Sequence, residues 1–125
     1  MKIKVVIVET GKPARIAQIE HTLENMQEIV GGSISASYPF DDEVAVVCDD
    51  EGMYKYPLNR AIDKYRGWFG TFFICGLTED DFGSLTDELA QKYKQMFKKP
   101  EAFLKDARSG RLIRLRPGER PVVIT

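Results

Sequence analysis

Residues 68–77, WFGTFFICGL, form an apolar run in which Thr71 and the Trp68 indole are the only hydrogen-bonding side chains. Such a run predicts a central strand covered on both faces, which needs a layer of structure on each side of a sheet. Upstream, in YPFDDEVAVVC (38–48), a second apolar run at 44–48 follows an acidic turn and predicts another strand. DDEG (49–52) has the Asp and Gly chemistry of a tight connection, so residues 53–56 are expected to return as a hairpin partner. PLNRAIDKYRG (57–67) reads as a connection with room for one helical turn.

Outward from this block the chain alternates strand and helix signals. KIKVVIV (2–8) begins with alternation and becomes a β-branched run, the pattern of a first strand, and TGKP (10–13) breaks it. Residues 15–19 are expected to pair back as a second strand. Thr22 precedes Leu23, Met26, Ile29 and Val30 at helical spacing, and Gly31 and Gly32 stand where a left-handed cap would stop a helix over 22–30. SISASY (33–38) alternates like a half-exposed strand that Pro39 restricts. Ser84 with Asp87 resembles a capping box, and Leu85, Leu89, Tyr93, Met96 and Phe97 follow at helical spacing. Lys98 and Lys99 suit the end of that helix and Pro100 stops it. A further turn is expected over 101–107, after which RLIRLR (111–116) alternates like an edge strand.

These elements imply an α+β fold, with a mixed or antiparallel sheet of five to six strands and two main helices. At 125 residues the chain suits one domain, able to bury roughly two-thirds of its unfolded surface. That domain is expected over 1–100, with 101–125 a basic extension packed on it or paired with it. Hydrophobic residues make up 43% and charged residues 30%, as in soluble globular proteins, and no apolar run approaches the ~20 residues of a membrane span. Charge resumes at Glu9 with no cleavage pattern after it, so no signal peptide is expected and the cytoplasm is the default compartment. Cys48 and Cys75 each lie in an apolar run and read as small buried hydrophobes; two isolated cysteines do not specify a disulfide.

Charge is unevenly placed, with a net −8 over residues 1–91 and +7 over 92–125. The basic third offers Lys98, Lys99, Arg108, Arg111, Arg114 and Arg116 as contacts for nucleic acid or another polyanion. Against that, the aromatics available for stacking, Tyr93, Phe97 and Phe103, suit a helix's buried face, and the basic end can equally neutralise the acidic body.

Reaction chemistry is sparse. His21 is the only histidine, which leaves no pair for zinc. The acidic triplets at 41–43, 49–51 and 79–81 offer oxygen ligands for a hard cation, the basis of a phosphoester-hydrolase reading. Yet Met53 stands at the fifth position of a calcium loop beginning at Asp49, and Tyr54 where its glycine is required. With no Walker loop, nucleophile elbow or paired cysteines, no catalytic residue, metal ligand or cofactor is assigned. Asn59 can donate and accept, and Arg60 presents a fork suited to carboxylate or phosphate. With Tyr38, Phe40, Asp41 and Asp42 they make a candidate ligand mouth; alternatively Arg60 bridges to Asp41 or Asp42.

YPFDDEVAVVCDDEG, then NR, then GTFFICGL and EDDFGSLTDE, resembles a domain-of-unknown-function family of small, uncharacterised proteins. Its members occur largely in Gram-positive bacteria, their plasmids, phages and conjugative elements. The likeness spans about residues 2–97, with Asp50, Glu51 and Gly52 as the acidic-acidic-glycine turn; the basic tail after Pro100 lies outside it. The family carries no assigned activity or catalytic residues, so the resemblance implies only a cytoplasmic accessory protein of a mobile element. The function expected is a non-enzymatic binding module for a small polar ligand or a protein partner. Polyanion binding and cation-dependent phosphoester hydrolysis are the alternatives.

Overall fold

The computed structural model describes residues 1–62 and 67–124. Strand β1 (Lys2–Val8) turns back into β2 (Arg15–Glu20), antiparallel from Lys2 opposite Glu20 to Ile7 opposite Arg15. Helix α1 (Leu23–Val30) starts where the Thr22 hydroxyl accepts the Asn25 N–H, and it ends at Gly31 with φ +93°. Strands β3 (Ile34–Ser37) and β4 (Val44–Asp49) follow, then a short helix α2 (Gly52–Lys55). Next come β5 (Leu58–Ala61), β6 (Gly67–Phe69), β7 (Phe72–Leu77) and β8 (Phe82–Gly83). Helix α3 (Asp87–Met96) precedes a last group, β9 (Ala102–Lys105), β10 (Leu112–Leu115) and β11 (Val122–Val123).

The main sheet has six strands in the order β2-β1-β7-β4-β3, with β8 also paired to β7, and every pairing is antiparallel. The α+β class and sheet size agree with the sequence reading. β7 lies between β1 and β4, and its two-residue alternation feeds two cores. On one face Val6, Val8, Val44, Val46, Phe72 and Ile74 pack with Ala90 and Tyr93 of α3, and with Trp68 and Phe97. On the other, Ile3, Val5, Ile7, Ala45, Val47, Phe73 and Cys75 pack with Met26 and Val30 of α1. Cys48 packs against the first core and Cys75 belongs to the second, so the sheet separates the two free thiols although their strands are neighbours.

Several local expectations differ. Residues 53–56 do not return as a hairpin: Asp49 Oδ1 accepts the Glu51 N–H at 2.9 Å, an Asx turn that leads into α2. The connection 57–67 instead holds β5 and the first residue of β6, with 63–66 outside the described residues. The run 68–77 is two strands broken at Gly70, whose φ is +73°. The cap of α3 is Thr86, accepting the Leu89 N–H, because the Ser84 hydroxyl is taken by the Lys4 N–H at 2.9 Å. Residues 102–105 form a strand, not a helical turn. Residues 112–115 are the middle strand of a three-stranded sheet, not an edge.

Candidate functional site

The β5–β6 ladder slips between Leu58 and Arg60, and such an irregularity re-aims the side chains at it. Asn59 and Arg60 are buried, 0% and 1% exposed. Asn59 Nδ2 donates to the Val8 carbonyl at 2.9 Å and the Gly70 carbonyl at 2.8 Å, while its Oδ1 accepts Arg60 Nη1 at 2.7 Å. Arg60 Nη2 donates to the Lys12 carbonyl at 2.7 Å and the Phe97 carbonyl at 2.9 Å. The pair thus ties the end of β1, the loop after it, the β6–β7 turn and the end of α3 to one point. Burial lowers the Arg60 pKa and nearby Glu101 opposes that, but a guanidinium stays charged at any ordinary pH. Arg60 Nε has no hydrogen-bond partner among the described residues, but the bonds made by Asn59 and the two Arg60 Nη atoms fix the backbone around them.

The loops so fixed border a cleft of about 410 Å³ at that end of the sheet, lined by Glu9, Thr10 and Lys12 on one side and Tyr56 and Thr71 on the other. Val30 and Gly31, at the end of α1, also line it. Tyr56 sits against Gly31 and Gly70, both at positive φ, where a Cβ would run into its hydroxyl and its ring respectively. The Gly31 carbonyl accepts bonds from the Tyr56 hydroxyl at 3.3 Å and Lys55 Nζ at 3.2 Å. Lys55 also lies 2.6 Å from the buried Asp49 carboxylate. Burial would raise the Asp49 pKa, but Lys55 and the Glu51 N–H outweigh it and hold the carboxyl below its usual range. At the mouth Glu9 meets Arg15 Nε at 3.2 Å and Lys12 Nζ at 3.9 Å. A concave site with a few polar groups on rigid walls is the ordinary form of a small-molecule site.

The six residues expected at a ligand mouth are dispersed. Asn59 and Arg60 are internal, and Arg60 does not bridge to Asp41 or Asp42. Asp42 instead accepts from Lys92 Nζ and the Tyr93 hydroxyl, each at 2.6 Å, and these bonds lower its pKa. Burial together with that bond raises the Tyr93 pKa. Phe40 packs on Tyr93 at 5.0 Å between centroids, while Asp41 and Tyr38 are exposed. Sequence reasoning missed Glu9, Thr10, Lys12, Tyr56 and Thr71; the TGKP break and Gly70 inside an apolar run were the available signals.

The basic candidates divide in two. Glu101, 8% exposed, accepts the Ala61 N–H at 2.9 Å and Arg116 Nε at 2.7 Å, and Arg114 Nη1 donates to the Ala61 carbonyl at 2.9 Å. Lys99 pairs with Glu119 at 3.0 Å. Arg114, Arg116 and Lys99 therefore serve internal links of the C-terminal sheet, while Lys98, Arg108 and Arg111 are exposed. His21 Nε2 lies 3.3 Å from Asp81. Among the described residues no three His, Cys, Asp or Glu side chains converge as a metal would require, and no helix is long and apolar enough to cross a membrane.

Searches of curated proteins and of solved structures found no match. The sequence does match one family over residues 1–98, a span that holds both layers around the main sheet and the Asn59–Arg60 brace but stops short of Glu101. The chain belongs to the family described as Domain of unknown function (DUF3846).

Proposed function

We propose that the protein is a non-enzymatic binding module whose ligand, a small polar molecule, occupies the cleft between the β1–β2 loop and Tyr56. The observation that carries this reading is the Asn59–Arg60 brace. The two most versatile polar side chains of the block are spent on backbone carbonyls that fix the cleft walls, which favours a preorganised site. Glu9, Lys12, Thr10 and Thr71 present both charges and two hydroxyls, a set suited to a zwitterionic or hydroxylated compound. On the resemblance of PFDD, the acidic turn, NR and GTFFI, the same proposal makes it a cytoplasmic accessory protein of a bacterial mobile element.

Amide spectra recorded during titration with amino acids, hydroxy acids and nucleotides test it. The expected result is shifts at residues 9–12, 31, 56 and 70–71 that Lys12→Ala with Thr71→Val abolishes. Shifts confined to residues 98–111, or none from any class, would sink it. The exposed Lys98, Arg108 and Arg111 favour a second reading, polyanion binding. Heparin affinity whose salt dependence is unchanged by Arg108→Glu with Arg111→Glu would dispose of that alternative.

A further inference from the structure

Below α1, on the same face of the main sheet, lies a groove of about 500 Å³ that neither the brace nor the cleft uses. Leu77 and Phe82, half-buried against the second core, line it together with Tyr38, which is 62% exposed. Glu79 and Asp80 stand on its rim and make no ion pair among the described residues. The Leu77 N–H bonds the Glu43 carbonyl at 3.1 Å, which brings the acidic 41–43 loop to the same end of the sheet.

The C-terminal sheet presents the complementary chemistry. Its β9–β10 turn is ordered by Asp106, whose Oδ1 accepts the Arg108 N–H at 2.8 Å and whose carbonyl accepts the Gly110 N–H at 2.8 Å. Lys105, Arg108 and Arg111 project at this tip with no ion pair among the described residues, beside Leu104, which is 57% exposed. Within one chain the two surfaces are anchored at opposite ends of β1. The groove's Asp81 is tied to His21, beside the start of β1, whereas the C-terminal sheet is anchored at Ala61, next to the Arg60 that holds Lys12 beyond the end of β1. Seven residues of strand separate those ends by roughly 20 Å.

We infer that the occupant of the groove is a second copy of this chain, with the basic β9–β10 tip of one molecule seated between Tyr38 and Phe82 of the next. Charge complementarity selects that partner: the chain is net −8 up to residue 91 and +7 after it. An apolar side chain is exposed on each half, Leu104 on the tip and Tyr38 at the groove. The contact is heterologous, so it propagates head to tail into a ring or a filament. An interface of one hairpin tip falls in the small, transient class, and salt weakens its exposed charge pairs.

Sedimentation equilibrium up to millimolar concentration tests it. The expected result is an average mass that rises above 14.2 kDa at low salt and returns to it at about 0.5 M salt. Glu79→Lys with Asp80→Lys, and separately Arg108→Glu with Arg111→Glu, each hold the chain at monomer mass, while an equimolar mixture of the two variants associates again. All four positions are exposed, so thermal melts of both variants should match the parent and exclude misfolding. A monomer at every concentration, association indifferent to either reversal, or a mixture that stays monomeric overturns the inference. Monomeric parent protein that binds a DNA oligonucleotide through the tip overturns it in favour of the polyanion reading.

Discussion

Replacing Arg60 by Met keeps most of the side-chain volume and removes the charge and every donor, which isolates the worth of the brace. Three short bonds disappear, to Asn59 Oδ1 at 2.7 Å, the Lys12 carbonyl at 2.7 Å and the Phe97 carbonyl at 2.9 Å. Hydrogen bonds to a charged group contribute about 1.5–3 kcal/mol each, so simple addition gives about 4.5–9 kcal/mol. The guanidinium no longer has to be desolvated, which offsets part of that, and removing one partner from a buried charged network costs about 3–5 kcal/mol. The expected loss is about 4 kcal/mol, a large share of the ~5–15 kcal/mol that holds a domain. For a chain of this length that lowers Tm by roughly 12–20 °C. Urea unfolding followed by the fluorescence of Trp68, the only tryptophan and buried in the first core, reads the loss directly. Asn59→Ala and the double variant complete a cycle whose coupling should exceed ~1 kcal/mol. An Arg60→Met loss below ~1 kcal/mol would refute the view that this pair holds the cleft-forming loops.

Gly70→Ala forces a Cβ onto the Tyr56 ring at positive φ, and a loss of about 1–3 kcal/mol is expected, partly recovered when Tyr56→Ala is added; an unaffected melt would contradict this packing. Asp42, Asp49, Asp87, Asp106 and Glu119 all titrate below their usual range in the fold, so the unfolded chain takes up protons first as pH falls. The stability they supply is complete above about pH 4–5, where the unfolded carboxyls ionise, and is lost as pH falls through the native values; Asp49→Asn should give a shallower acid slope in urea midpoints. Burial pushes the Cys75 thiol up to about 12, so a thiol reagent at pH 8 should leave it unmodified until denaturant is added, and rapid reaction in the native state would argue against this core. Glu101→Ala should speed tryptic cleavage after Lys105, Arg108 and Arg111, because it removes the acceptors of the Ala61 N–H and Arg116 Nε that anchor the C-terminal sheet.

Periodic elements were the readable part of the sequence. β1, β2, α1, β3 and β4 show in alternation, β-branching and the Thr22 and Gly31 caps, because those signals are local. Where a side chain reaches a distant partner the reading fails. DDEG looks like a hairpin turn until Asp49 is seen buried against Lys55 and opening a helix. Ser84 looks like a cap until its hydroxyl is taken by Lys4, eighty residues away in sequence. The same limit governs the site. Asn59 and Arg60 stand out in the sequence as polar residues suited to a ligand, but they turn to four backbone carbonyls instead, a consequence of the slip in the β5–β6 ladder that no composition encodes. Arg114 and Arg116 alternate as a basic stripe would, but the Ala61 carbonyl draws Arg114 inward and buried Glu101, beyond the family match, draws Arg116.

Arg60 is an internal brace, and under the proposed function Lys12 and Thr71 of the cleft face the ligand in its place. Nitrogen–proton spectra of the arginine side chains at neutral pH test both halves at once. Slowly exchanging Arg60 guanidinium signals should stay in place when a cleft-binding compound is added, while the Lys12 and Thr71 amides move. Guanidinium protons that exchange rapidly with water, or Arg60 signals that shift more than those amides, would contradict it.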